Sequence, residues 1–294
     1  MGDGNALVLG DGGTLTHYLS GLLDTATANS GSGDDVITSG NGNLVVLLGL
    51  GVDALTGGDG DLTLVGDSGS LAYYSDGVLA SASATAGAGG SDDVTTDTVE
   101  AGLGQHLVLG DNGTIDLDTD GALLGMATID TLGAADSITL GNGDNVVIAG
   151  QGGDSVTTGT GNDLVLGDNG EILFTGSTGN LVRDRIGSLD DASGGDDVID
   201  LGDGSKLVIG GVGSDTIDAL AGNHDVAGDN GSFTYSNGNL TEIDSSNSTD
   251  GAGDTVTLGA GDHRLVLGIG GDTLVAGNGS TLLMADNGTA LLQE

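Results

Sequence analysis

Apolar residues along this chain come in short bursts separated by glycine-rich polar stretches, and the bursts recur with a fixed step of nine. From residue 34 the chain divides into DDVITSGNG, NLVVLLGLG, VDALTGGDG and DLTLVGDSG, ending at residue 69. Similar four-part blocks span 135–170, 196–231 and 253–288, and a shortened block of two nonapeptides spans 96–113. Position 4 of the nonapeptide is nearly always Val, Ile or Leu, and Gly recurs near positions 7 and 9. A burst of four or five apolar or β-branched residues closed by glycine predicts a short strand followed by a sharp corner, because Gly reaches backbone conformations closed to other residues. Two nonapeptides then make one 18-residue coil carrying a strand on each side. Stacking such coils gives parallel sheets with strands about 4.8 Å apart. The expected fold is all-β, a parallel β-roll or β-solenoid in one continuous array over 1–294, with Val, Ile and Leu stacked between two sheets.

Composition sharpens this picture. The 294 residues include 61 Gly, no Pro, no Cys and only six aromatics, four Tyr and two Phe. That glycine content disfavours long helices, and the absence of Cys removes a disulfide scaffold. No apolar run is long enough for a membrane-spanning helix, so no membrane insertion is expected. Acidic residues number 44 against four basic ones, Arg183, Arg185, Lys206 and Arg264, for a net charge of −40. Such a surface repels phosphate, and nucleic acid is not an expected partner.

The acids are overwhelmingly Asp, the residue of tight turns and hard-metal sites. Position 2 of the odd nonapeptides is Asp35, Asp53, Asp97, Asp136, Asp154, Asp197, Asp215, Asp254 and Asp272. In the even nonapeptides it is Leu44, Leu62, His106, Asn145, Asp163, Lys206, His224, His263 and Thr281. Odd and even turns fall on opposite edges of a two-strand coil, so one edge carries a carboxylate ladder. Tetrapeptides resembling GDNG close each block and fall on that same edge, adding Asp11, Asp67, Asp111, Asp168, Asp229 and Asp286. Glycine turns offer backbone carbonyls and Asp offers carboxylates, the oxygen ligands that Ca²⁺ takes. The competing reading of each Asp is an ion-free turn former, and it weighs most heavily for the GDNG positions. His106, His224 and His263 share the even position but belong to different blocks, which reads as exposed turn residues several coils apart.

Written from its glycines, the repeat is G-x-G-x-D-x-U with U apolar, as in Gly49-Leu50-Gly51-Val52-Asp53-Ala54-Leu55. It resembles the RTX, or haemolysin-type calcium-binding, nonapeptide family, and the copies cover more than half of the chain. The resemblance implies several bound Ca²⁺ ions and a secreted, extracellular location at a bacterial cell surface, as in the repeat arrays of large adhesins. Three functions are then expected: a calcium-stiffened spacer or filament segment, a carbohydrate-binding module of a secreted enzyme meeting a surface glycan, or a fibre protomer associating with itself end to end or laterally. The chain begins in GDG and stops six residues after the last GDNG-like turn, which suggests a window of a longer array. No catalytic constellation stands out. Gly66-Asp67-Ser68-Gly69 echoes a serine nucleophile motif, yet it aligns with the sister turns and no His is placed to activate it.

The linking segments 14–33, 70–95, 114–134, 171–195 and 232–252 each hold two apolar alternations around a Gly-containing turn. They read as one longer coil of the roll, with a projecting hairpin as the alternative. They contain all the Tyr and Phe residues with Arg183 and Arg185, so specific contacts are expected there.

Overall fold

The computed structural model describes residues 2–30, 33–84, 98–129, 133–189, 192–245 and 250–292. Among the described residues all regular structure is strand. The strands form two parallel sheets, of nine and ten strands, and one antiparallel sheet of eleven.

Odd nonapeptides supply the nine-stranded outer sheet, with strands such as Ser137–Leu140 and Ser155–Thr158. Even nonapeptides supply the ten-stranded central sheet, with strands such as Val146–Ile148 and Leu164–Leu166. Within a block, Ser137 lies opposite Ser155 and Val146 opposite Leu164, a step of 18 residues. Both parallel ladders continue across the linking segments: Ser155 pairs with Val198 and Leu164 with Leu207. The linking segments are therefore looped out of the parallel stack.

They are neither lengthened coils nor projections. Each folds as an antiparallel hairpin, among them Gly113–Leu117 with Leu123–Thr128 and Ser232–Ser236 with Asn239–Asp244. Successive hairpins pair with one another, as where Arg185 lies opposite Thr234, and together they build the eleven-stranded sheet. The reversal at Asn237 (φ 51°) and Gly238 (φ 80°) has both residues left-handed, the twist that suits a two-residue hairpin turn.

The molecule consequently has three layers and two cores. Between the outer and central sheets, Ile138, Val156, Ile199 and Ile217 meet Val108, Val147, Val165 and Val208. On the opposite face of the central sheet, Leu109, Ile148, Leu166 and Ile209 meet Ile115, Ile172, Ile186 and Phe233 of the hairpins. A sheet buried on both faces needs consecutive apolar residues, whereas a half-exposed sheet needs alternation. The sequence follows this rule. Even nonapeptides carry unbroken runs such as Leu164-Val165-Leu166, and odd ones alternate, as in Ser155-Val156-Thr157. The hairpin layer also gives the few aromatics their place, since Phe233 is wholly buried in the second core.

Candidate functional site

The chain turns from central to outer sheet along one edge, and there the described odd position-2 aspartates form a file, linked from Asp35 to Asp53 and from Asp136 to Asp272. The backbone N–H of Asp136 donates to Oδ1 of Asp154 at 2.7 Å, that of Asp154 to Asp197 at 2.7 Å, and that of Asp197 to Asp215 at 2.8 Å. Asp215 donates likewise to Asp254 at 2.9 Å and Asp254 to Asp272 at 3.1 Å, while Asp35 donates to Asp53 at 2.7 Å. Each carboxylate thus caps the preceding turn in the stack. Asp53, Asp136, Asp154, Asp197, Asp215 and Asp254 are buried; Asp35 and Asp272 are half-buried. Asp97 lies outside the described residues.

The second oxygen of this file is the chemically unusual one. Oδ2 of Asp154, Asp197, Asp215 and Asp254 is buried and accepts no hydrogen bond. Those of Asp197, Asp215 and Asp254 point at Gly167, Gly210 and Gly228 of the central sheet. A Cβ on Gly167 would come within 2.0 Å of Asp197 Oδ2 and 2.5 Å of the Gly210 carbonyl oxygen, and one on Gly228 within 2.3 Å of Asp254 Oδ2 and 2.5 Å of Leu267 O. Glycine is required at these positions because a side chain would occupy the space where carboxylate and carbonyl oxygens converge. Burial raises the carboxyl pKa to about 6 at Asp53, about 7 at Asp154 and Asp215, and about 8 at Asp254. Asp197 is also pushed well up, by burial first and then by the charges of Asp168 and Asp154. Hard oxygen donors lacking compensating N–H groups suit a cation such as Ca²⁺ better than they suit the bare interior.

The GDNG aspartates have a different environment. Asp168 accepts the N–H of Gly195 at Oδ1 (3.1 Å) and the N–H of Val212 at Oδ2. Asp111 accepts from Ala134 (3.3 Å) and Gln151, and Asp229 from Ala252 (3.3 Å) and Ile269. Asp11 accepts from Leu50 at 2.8 Å. Each therefore ties the point where the chain leaves for a hairpin to turns beyond that hairpin. Glycines bracket these side chains too: Cβ atoms on Gly194 and Gly211 would lie 1.9 and 2.2 Å from Asp168 Oδ2. Burial raises Asp111 to about 9 and Asp229 to about 7. Asp67 is buried and Asp286 is exposed. With both oxygens accepting backbone N–H groups, Asp111, Asp168 and Asp229 have the geometry of turn caps.

The opposite edge differs from the sequence-based expectation. The even position-2 residues stack in register, bringing His106, Asn145, Asp163, Lys206, His224 and His263 into one interior column. All six are buried. The histidines are not exposed, and His224 and His263 are neighbours with ring centroids 5.0 Å apart, because the parallel ladder passes over the hairpin between their blocks. Nε2 of His106, His224 and His263 lies 3.1, 2.9 and 3.1 Å from the carbonyl oxygens of Gly102, Leu220 and Gly259. The ring donates there as the Nε2–H tautomer. Lys206 pairs with Asp163 at 2.6 Å, with both side chains fully buried.

Beside this column, between the central sheet and the hairpins, two adjoining cavities of about 580 and 600 Å³ share Arg183, Ser205, Asn223 and Asp225. Three of the four basic residues line them, Arg183, Lys206 and Arg264. Arg264 is held by Asp225 through bonds of 2.6 and 2.7 Å, whereas the Arg183 guanidinium lies 5.9 Å over the Tyr235 ring.

Among the described residues, no three His, Cys, Asp or Glu side chains converge as a side-chain-only metal site, and no helix is long and apolar enough to cross a membrane. A cation on the Asp file would need carbonyl ligands beside the carboxylates. Comparison with protein-family models, with curated proteins and with solved structures yields no match to this chain.

Proposed function

We propose that the chain is a calcium-binding structural repeat segment, a β-roll of stacked 18-residue coils related to the RTX type, that folds and stiffens when Ca²⁺ binds along the Asp edge. One observation carries this reading: a buried file of carboxylates, one per coil, whose Oδ2 atoms at Asp154, Asp197, Asp215 and Asp254 accept no hydrogen bond, within a chain of net charge −40. Calcium supplies the positive charge these oxygens lack. The chain's part is to fix the carboxylates one above another through N–H bonds to Oδ1 and, at Asp197, Asp215 and Asp254, to keep the space beside Oδ2 clear with glycine. Binding to the folded state alone converts ligation energy into folding energy. In millimolar extracellular calcium the segment is a stiff spacer or filament part of a large surface adhesin or matrix protein. Calorimetric titration together with negative-stain microscopy tests this: ion uptake and rods in calcium with loss of order in chelator support it, and an unchanged fold with no heat of binding refutes it.

A second reading, a carbohydrate-binding module, is favoured by the polar groove that carries Arg183. Hydroxyl, amide and guanidinium groups beside an aromatic ring suit sugar recognition. Binding to a glycan array that disappears in Arg183→Ala supports it; an unaffected or absent signal removes it.

A further inference from the structure

On the even edge, the Lys206 ammonium is surrounded by oxygen. Nζ lies 2.6 Å from Asp163 Oδ2, 2.8 Å from Gly161 O, 3.2 Å from Asp203 O and 3.4 Å from Gly159 O. Both side chains of the ion pair are wholly buried. The oxygens come from two successive coils, so the ammonium links one turn to the next. An isolated buried ammonium is strongly disfavoured, and a buried ion pair is tolerated only where the remaining donors and acceptors are met. Here one carboxylate and three carbonyls meet them.

The same turn carbonyls in neighbouring coils receive other nitrogen donors. Asn145 Nδ2 reaches Gly141 O at 3.5 Å and Gly143 O at 3.3 Å, and the three histidines serve Gly102, Leu220 and Gly259. A side-chain nitrogen is therefore aimed at the turn from His106, Asn145, Lys206, His224 and His263. On the opposite edge, Oδ2 of Asp154, Asp197, Asp215 and Asp254 has no such donor. At the Lys206 coil that nitrogen is a full cation in a hard-oxygen cage.

We propose that the oxygens of Gly159, Gly161, Asp163 and Asp203 constitute a cation site whose resident cation is the tethered Lys206 ammonium, and that a divalent metal ion takes this site once the ammonium is removed. One carboxylate with neutral carbonyls is neutralised by a single positive charge, which the ammonium provides without the loss of a free ion's translational entropy. A Ca²⁺ ion accepts the same oxygens and completes its shell with water in the space that the ammonium and the three methylenes beyond Cβ leave in Lys206→Ala. The even edge is thereby metal-independent at this coil.

The test counts ions. Wild type, Lys206→Ala and Lys206→Ala/Asp163→Asn are titrated with Ca²⁺ by calorimetry under conditions where circular dichroism shows each to be folded. Lys206→Ala should bind one more ion per chain than wild type, and the double variant should return to the wild-type count. Because the count is a difference, it holds whether or not the Asp edge itself binds calcium. Equal counts for folded wild type and Lys206→Ala would overturn the proposal. A measurement on wild type alone does not depend on any variant folding: in crystals at saturating calcium, anomalous scattering should show no ion bonded to Asp163 Oδ2, and an ion there with Lys206 displaced would also overturn it.

Discussion

His224 and His263 stack face to face, with ring planes 2° apart and centroids 5.0 Å apart, although a whole hairpin separates them in the chain. Burial lowers the pKa of His224 first, and the neighbouring His263 and Lys206 lower it further. A histidine whose folded pKa is depressed stabilises the fold above its ordinary pKa, and that contribution is lost as the pH falls through the folded value. NMR titration should place His224 below 6.5 with the Nε2–H tautomer retained at neutral pH. His224→Leu should fold, because Leu44 and Leu62 stand at the same place in the column.

The Asp edge has the opposite pH dependence. Its carboxyls titrate in the folded chain at about 6 to 8 at Asp53, Asp154, Asp215 and Asp254, raised from 3.8 by burial. The folded state then holds more protons than the unfolded one between pH 4 and those values. Their stabilising contribution is complete below pH 4 and is lost as the pH rises through 6 to 8. In chelator, the midpoint for urea denaturation should fall from pH 5.5 to pH 8.5. Saturating calcium should flatten that decline.

Asp197→Asn separates the charge from the hydrogen bond. Its side-chain carbonyl can still accept the backbone N–H of Asp154 at Oδ1, while the buried charge disappears. In chelator the variant should equal or exceed wild type in thermal stability. In calcium it should gain less, by about 3 kcal/mol for a site held at a hundredfold excess over Kd. An undiminished calcium response in scanning calorimetry would remove Asp197 from the ligand set.

Asp168→Ala probes a GDNG cap. It leaves the N–H groups of Gly195 and Val212 without their acceptor, which should cost about 1–3 kcal/mol for each group that water cannot reach. Gly211→Ala should destabilise as well, since its φ of 120° is unsuited to a side chain and its Cβ would strike Asp168 Oδ2. The number of calcium ions bound should stay unchanged in both, as read by calorimetric stoichiometry.

Phe233→Ala tests the third layer. Phe233 is wholly buried between hairpin and central sheet, and its loss should cost about 3–5 kcal/mol in chemical denaturation. A hairpin projecting into solvent would tolerate the change within about 0.5 kcal/mol.

The nonapeptide period, the strand positions and the placing of the odd position-2 Asp residues on one edge were all legible in the residues, because each is a local rule repeated many times. The third layer was also written there, in the contrast between Leu164-Val165-Leu166 and Ser155-Val156-Thr157, but that contrast has meaning only once burial on two faces is weighed against burial on one. The histidine column was not legible by counting residues. Spacing along the chain measures distance in space only if every segment belongs to the stack.

The sequence by itself determined a stack of 18-residue steps, since glycine corners and β-branched or Leu positions admit little else, and it determined which edge carries the odd position-2 Asp file. Tertiary structure alone decided that the linking segments leave the stack as hairpins and cover the central sheet. That departure lets the parallel ladder close over them, so that Lys206 meets Asp163 and His224 meets His263. The physical reason is that apolar surface on the central sheet's second face must be covered, and the hairpins carry the complementary apolar strands that cover it.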